Sequence, residues 1–148
     1  MSGTARPGAV FSFPIRVYWE DTDAGGIVFY ANYLKFFERA RTEWLRSLGI
    51  GQQALRDATG GMFVVSETNV RYLQSARLDD ELIVTTRLTE SGRVSLTLAQ
   101  QALCAGTVLC EGTIRIGWVD ATTLRPALAV LLFVILLVLS AVQLRGFE

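Results

Sequence analysis

Trp19-Glu20-Asp21-Thr22-Asp23-Ala24-Gly25-Gly26-Ile27-Val28-Phe29-Tyr30-Ala31-Asn32-Tyr33 contains the change of period on which the fold turns. Before it, Phe11, Phe13, Ile15 and Val17 alternate with other residues, which predicts a strand from Val10 to Trp19. Pro14 lacks an N–H and marks that strand for a sheet edge or a bulge. Acidic residues and glycines then cluster without period from Glu20 to Gly26, as a loop does. From about Ala31 the apolar residues step by three and four. Tyr33, Phe37, Ala40, Trp44 and Leu48 form a stripe, widened by Leu34 and Leu45. Lys35, Glu38, Arg39, Arg41, Glu43 and Arg46 supply the expected polar side, with Arg39 and Glu43 as an i,i+4 pair and Arg41 beside Glu38. Gly49 is placed to end the helix.

Downstream, Gln52 to Asp57 suits one more helical turn before Gly60-Gly61. Four strand patterns follow: Met62 to Gln74, Leu82 to Glu90, Arg93 to Cys104 and Val108 to Val119. The last alternates through Val108, Cys110, Gly112, Ile114, Ile116 and Trp118. A strand, a long helix and an antiparallel run of strands predict an α+β domain, the helix lying on one face of a curved sheet.

The chain has 148 residues, 14 basic and 14 acidic, so one domain is expected and no net field points to nucleic acid. Cys104 and Cys110 read as reduced thiols rather than a disulfide framework. Residues 1–8 have no apolar core of the kind a secretory signal carries. Histidine is absent altogether, which excludes Ser-His-Asp and Cys-His catalysis and removes the commonest ligand of catalytic zinc.

Three carboxylates in four positions, Glu20, Asp21 and Asp23, leave two readings open. Asp and Thr side chains commonly form turn and cap hydrogen bonds with nearby backbone. A carboxylate beside a helix amino end can instead serve acyl chemistry, because free N–H groups there hold a developing oxyanion. A metal site is not expected, since no second acid cluster completes one.

The run Tyr18 to Leu34, with Phe36-Phe37-Glu38-Arg39-Ala40-Arg41, resembles the 4-hydroxybenzoyl-CoA thioesterase family. More narrowly it is similar to the branch of small acyl-CoA thioesterases associated with the bacterial Tol–Pal system. Tyr72-Leu73, Ala76-Arg77-Leu78-Asp79-Asp80, Val119-Asp120 and Arg125-Pro126 extend the resemblance over residues 13–126. It implies a hotdog fold, with an antiparallel sheet of about five strands wrapped around one long central helix, assembled as a homodimer or homotetramer. It also implies hydrolysis of acyl-CoA, or of an acyl-carrier-protein thioester, without cofactor or metal.

By the same resemblance, Asp23 is the catalytic carboxylate, as nucleophile or as base for water. The backbone N–H of Tyr30 polarises the thioester carbonyl, and Gly25 and Gly26 let backbone approach the acyl group. Arg93 matches a basic position that contacts CoA phosphates, and Arg71 and Arg77 are weaker candidates; each also suits an ordinary exposed arginine. Glu20 and Asp21 are left as scaffold. The Tol–Pal branch carries histidine where this chain has Tyr30, while the 4-hydroxybenzoyl-CoA enzymes carry tyrosine there. Tyr30 could equally be a core aromatic. The alternative to an enzyme is a membrane-attached hotdog protein without turnover, serving as a scaffold or acyl-binding module.

Three regions are expected: a flexible N-terminus at 1–9, the hotdog domain at 10–126, and an apolar tail at 127–148. Ala127 to Leu144 carries no charge, and 18 helical residues would span roughly 27 Å. The tail suits an apolar C-terminal helix anchoring a cytoplasmic domain to the inner membrane. A helix buried in an oligomer and an altered reading frame are the other readings.

Overall fold

The computed structural model describes residues 9–127. The N-terminal segment and the apolar tail expected from sequence lie outside the described residues, apart from Ala9 and Ala127. Among the described residues no helix is long and apolar enough to cross a membrane.

The elements are β1 (Val10–Arg16), α1 (Asn32–Ser47), α2 (Gln52–Thr59), β2 (Gly61–Tyr72), β3 (Glu81–Ser91), β4 (Ser95–Cys104) and β5 (Thr107–Asp120). They build the expected α+β hotdog arrangement. All five strands form one antiparallel sheet in the order β1-β3-β4-β5-β2. β1 stops at Arg16, short of the expected Trp19, because Trp19–Asp21 closes into a 3-10 turn. Pro14 sits opposite Ile83 on the outermost strand, where its missing N–H costs no ladder bond.

α1 packs on one sheet face, against Leu82 and Val84 of β3, Leu96 and Leu98 of β4, and Ile114 and Ile116 of β5. Phe36 and Phe37 are fully buried there, each contributing about 2 kcal/mol of burial. A Cβ at Gly112 would meet the Asn69 carbonyl at 3.0 Å and the Phe37 ring at 3.4 Å, so glycine is what lets helix and sheet approach. Ile50 N–H donates to the Leu45 carbonyl and Gly49 N–H to that of Arg46, with Gly49 at φ +84. These two bonds close the helix at the expected glycine.

Parts of the helix pattern need correcting. Phe36 joins the buried arc and Leu34, at 41% exposure, leaves it. Arg41, expected on the polar side, is buried, because it lies on the wheel between Phe37 and Leu45. Glu43 pairs with Arg46 rather than Arg39, whose guanidinium lies 5.9 Å over the Phe36 ring. Glu38 accepts from the Thr42 hydroxyl at 2.6 Å rather than pairing with Arg39 or Arg41. Leu34, Glu38, Arg41 and Leu45 therefore share the side of α1 that looks toward β2, and the sheet there is only partly covered.

Both cysteines are free thiols. Burial pushes the Cys110 thiol up to about 12, which keeps it protonated and unreactive at neutral pH.

Candidate active site

The acidic loop is held by Asp21. Its side chain is 4% exposed, its Oδ2 accepts the Tyr18 N–H at 2.9 Å, and its Oδ1 accepts Asn32 Nδ2 at 2.9 Å. Its carbonyl also accepts the Phe29 N–H at 3.1 Å. One buried residue thus fixes the start of the loop, its return and the first residue of α1. The position beside the helix amino end also suits a negative charge. Of the two readings left open for the acids, Asp21 takes the structural one. Asn32 was missed from sequence because a loop acid and a helical amide eleven positions apart share no spacing rule.

Between these anchors the chain makes a narrow turn. Asp23 N–H donates to the Ile27 carbonyl at 2.9 Å, and Thr22 bridges to Val28. Ile27 in turn bridges to Arg77, and Val28 N–H donates to the Ala76 carbonyl. Asp23 stands at the exposed tip. Its Oδ1 accepts Gly25 N–H at 2.8 Å and, more weakly, Ile27 N–H at 3.4 Å. Among the described residues Oδ2 has no partner. One oxygen is oriented and the other is open.

The two glycines play different parts. Gly26 has φ +77, a conformation that side chains disfavour. At Gly25 a Cβ would stand 3.3 Å from Asp23 Oδ1, crowding the carboxylate.

Tyr30 lies just before α1 and is 66% exposed, so it is not a core aromatic. Among the described residues the N–H groups of Tyr30 and Ala31 have no acceptor. The Tyr30 ring stacks on Phe29 at 4.8 Å and meets Tyr72 edge-on at 5.9 Å. Tyr33 lies beneath, its hydroxyl accepting the Ala76 N–H at 3.0 Å, and burial raises its pKa. Burial also raises that of Tyr72, with Cys110 and Tyr30 adding to it. The strand pattern gave Tyr72 no distinction from other β2 residues; the contact with Tyr30 does.

Arg93 is not brought to this site within one chain. It is exposed in the turn before β4, whereas the Asp23 loop contacts residues 76–78, just before the opposite end of β3. The eleven residues of β3, at about 3.4 Å each, separate the two. Arg77 is in the neighbourhood through its bridge to Ile27, and Arg71 lies on the far face of β2, 3.5 Å from Glu111. A cavity of about 490 Å³ opens on that far face, lined by Arg71, Thr85, Arg87, Gln101 and Glu111. It is remote from Asp23 and lined by the polar residues that a solvated sheet face carries. No cluster of metal-ligating side chains occurs among the described residues.

Residues 17–130 match the family model described as the thioesterase-like superfamily. The chain is 43% identical over 116 residues to the acyl-CoA thioesterase YbgC of Haemophilus influenzae, covering 78% of this chain and 85% of that one. It is 44% identical over 118 residues to the acyl-CoA thioester hydrolase YbgC of Escherichia coli O6:H1, covering 79% and 87%. Among solved structures it is similar to a probable thioesterase from Bartonella henselae, with a TM-score of 0.77 and 29% identity, covering 82% and 99%.

The Asp21–Asn32 pair can be tested by exchanging its partners. Asn32→Asp alone sets two buried carboxylates against each other, and Asp21→Asn alone leaves two amides facing. The double exchange restores one donor and one acceptor, and the amide oxygen then at position 21 can still accept the Tyr18 N–H. In urea denaturation we expect each single variant to be destabilised and the pair to show a coupling of about 1–3 kcal/mol. Additive losses would show that this contact does not hold the loop.

Proposed function

The chain belongs to the thioesterase-like superfamily, and we infer from that membership that it is an acyl-CoA thioesterase, a hydrolase that releases a free acid and CoA. Asp23 is its catalytic carboxylate. Asp23 delivers the oxygen nucleophile to the thioester carbonyl carbon, either from a water that it deprotonates or from its own carboxylate, in which case water then cleaves the acyl–Asp23 anhydride to release the acid and restore the carboxylate. The carbonyl oxygen takes up negative charge and accepts the Tyr30 N–H, and the C–S bond breaks to release the CoA thiolate.

The observation that carries this reading is the division of labour at Asp23. Its Oδ1 is held by two backbone N–H groups, and its Oδ2 is without a partner among the described residues. A thioester has weak carbonyl resonance and a good leaving group, so an oriented carboxylate and N–H donors can act on it without histidine. Asp23→Asn keeps the shape and the acceptor for Gly25 N–H while removing the charge. We expect kcat/KM on acyl-CoA to fall about 10²–10⁴-fold with the thermal midpoint unchanged. Activity within tenfold of the parent would remove Asp23 from this role.

A second copy completes the site. The two sheet edges differ: β1 carries Pro14, whereas β2 offers twelve residues without proline, including Val65 at 50% exposure and Tyr72 at 46%. Antiparallel pairing of β2 with its own copy satisfies its free backbone groups and covers the inner face beside α1. It also supplies the second chain from which Arg93 could reach CoA phosphate. Light scattering should give twice the chain mass or a multiple of it, and Val65→Asp should shift the protein toward monomer. A monomeric parent protein would overturn this assembly.

The uncharged sequence from Ala127 to Leu144 supports attachment to the cytoplasmic face of the inner membrane. After alkaline carbonate extraction the full chain is expected in the membrane pellet. Recovery in the supernatant would exclude an integral anchor.

A further inference from the structure

We propose that Tyr33 is a positioning residue for the reaction. Its hydroxyl ties the segment that carries the Asp23 turn to α1, and so holds the carboxylate in register with the N–H donors at Tyr30 and Ala31. This rests on the acyl-CoA reading above and adds to it the group that keeps the two halves of that site together.

The outgoing limb of the Asp23 turn pairs with no strand of the sheet. Ile27 bridges to Arg77, Val28 N–H donates to the Ala76 carbonyl at 2.9 Å, and Leu78 N–H donates to the Gly26 carbonyl at 3.2 Å. The limb therefore hangs on residues 76–78, in the irregular connection between β2 and β3. That connection is anchored at its two ends. Leu73 and Gln74 N–H donate to the Leu109 carbonyl at 2.8 and 3.0 Å, and Asp79 N–H donates to the Val17 carbonyl at 3.1 Å. Between these anchors Ala76 N–H donates to the Tyr33 hydroxyl at 3.0 Å. Among the described residues this is the one hydrogen bond that joins 75–78 to anything besides the Asp23 turn and the connection itself.

Tyr33 suits that task. It is the second residue of α1 and is 2% exposed, its ring meeting Phe36 edge-on at 5.8 Å and Tyr72 at 5.9 Å. Ala76 is fully buried too, so water does not replace the hydroxyl unless the segment moves. The preceding residue, Asn32, holds the incoming limb through Asp21. Two consecutive residues of α1 thus grip both limbs of the turn, and the donors at Tyr30 and Ala31 stand directly before them.

The tie reaches the carboxylate in two steps. Without the hydroxyl, Ala76 N–H must turn toward water, which carries Val28 and Ile27 with it. Ile27 is bonded to Asp23 twice, its carbonyl accepting Asp23 N–H at 2.9 Å and its N–H donating to Oδ1 at 3.4 Å. A displacement of about 1 Å at a reacting group costs up to roughly 100-fold in rate.

The test uses the full chain and Tyr33→Phe, which keeps both ring contacts and removes only the oxygen. With butyryl-CoA, palmitoyl-CoA and benzoyl-CoA as substrates, we expect kcat to fall about tenfold or more and KM to stay within about threefold. Amide exchange followed by NMR should accelerate at Asp23, Val28 and Leu78, with the amides inside α1 and β4 unchanged. Leu98→Ala serves as the comparison for a purely structural loss, because it opens a cavity beneath α1 without touching a hydrogen bond. It should speed exchange throughout the domain and keep kcat per folded molecule. Unchanged kcat in Tyr33→Phe, a KM that rises in step with the fall, or a fall that Leu98→Ala reproduces overturns the proposal. So does exchange that accelerates uniformly or nowhere. Should the parent hydrolyse none of the three thioesters, the acyl-CoA reading fails and exchange alone decides. Acceleration confined to those three amides then retains the tie, and any other pattern overturns it.

Discussion

The buried carboxylate of Asp21 is the constraint from which the functional region follows. A charge so enclosed persists only where hydrogen bonds replace its water. Here the replacements come from Tyr18, just after the first strand, and from Asn32, at the start of the central helix. Because both partners are needed at once, strand, loop and helix are fixed relative to each other. The loop between them is then free to be short, polar and exposed without being loose.

That arrangement separates a buried, fully bonded carboxylate from an exposed one with an open oxygen. Two aspartates stand two positions apart, and the buried one does the holding while the exposed one keeps an oxygen free. Gly25 lies against the Asp23 carboxylate and Gly26 takes the left-handed backbone the turn needs, so the loop bends back without a side chain over Asp23. The N–H groups at Tyr30 and Ala31 arrive from the same loop. One short segment thus delivers a carboxylate with an open oxygen and free backbone donors in a chain without histidine.

The central helix shows a similar division around its axis. One side carries Phe36, Phe37, Ala40 and Trp44 into the sheet and is closed. The side carrying Leu34, Glu38, Arg41 and Leu45 looks toward β2, where coverage is partial. Arg41 is the point at which that open side becomes polar inside. The open side, the proline-free edge of β2 and the exposed tyrosines form one continuous surface.

Much of this was legible in the sequence. The alternation of β1, the three-four stepping of α1 and the alternation of β5 are local periodicities, set by the geometry of each element alone. Pro14 as an edge residue and Gly49 as a helix stop follow from single-residue backbone chemistry. The long motif carried the family resemblance, and with it the expectation for Asp23. What sequence could not supply were relations between distant residues. Nothing in the spacing says that β2 pairs with β5 instead of β3, that Asp21 meets Asn32, or that Arg41 turns inward to Gln100. An arginine among helical charges reads as surface because its neighbours are, and only the packed sheet shows that Arg41 itself is buried. The sequence determined the elements through local geometry and residue type, and its long motif carried the family. The tertiary structure decided which acid holds the loop, which arginine is buried and which sheet edge is open, because those depend on contacts between residues far apart along the chain.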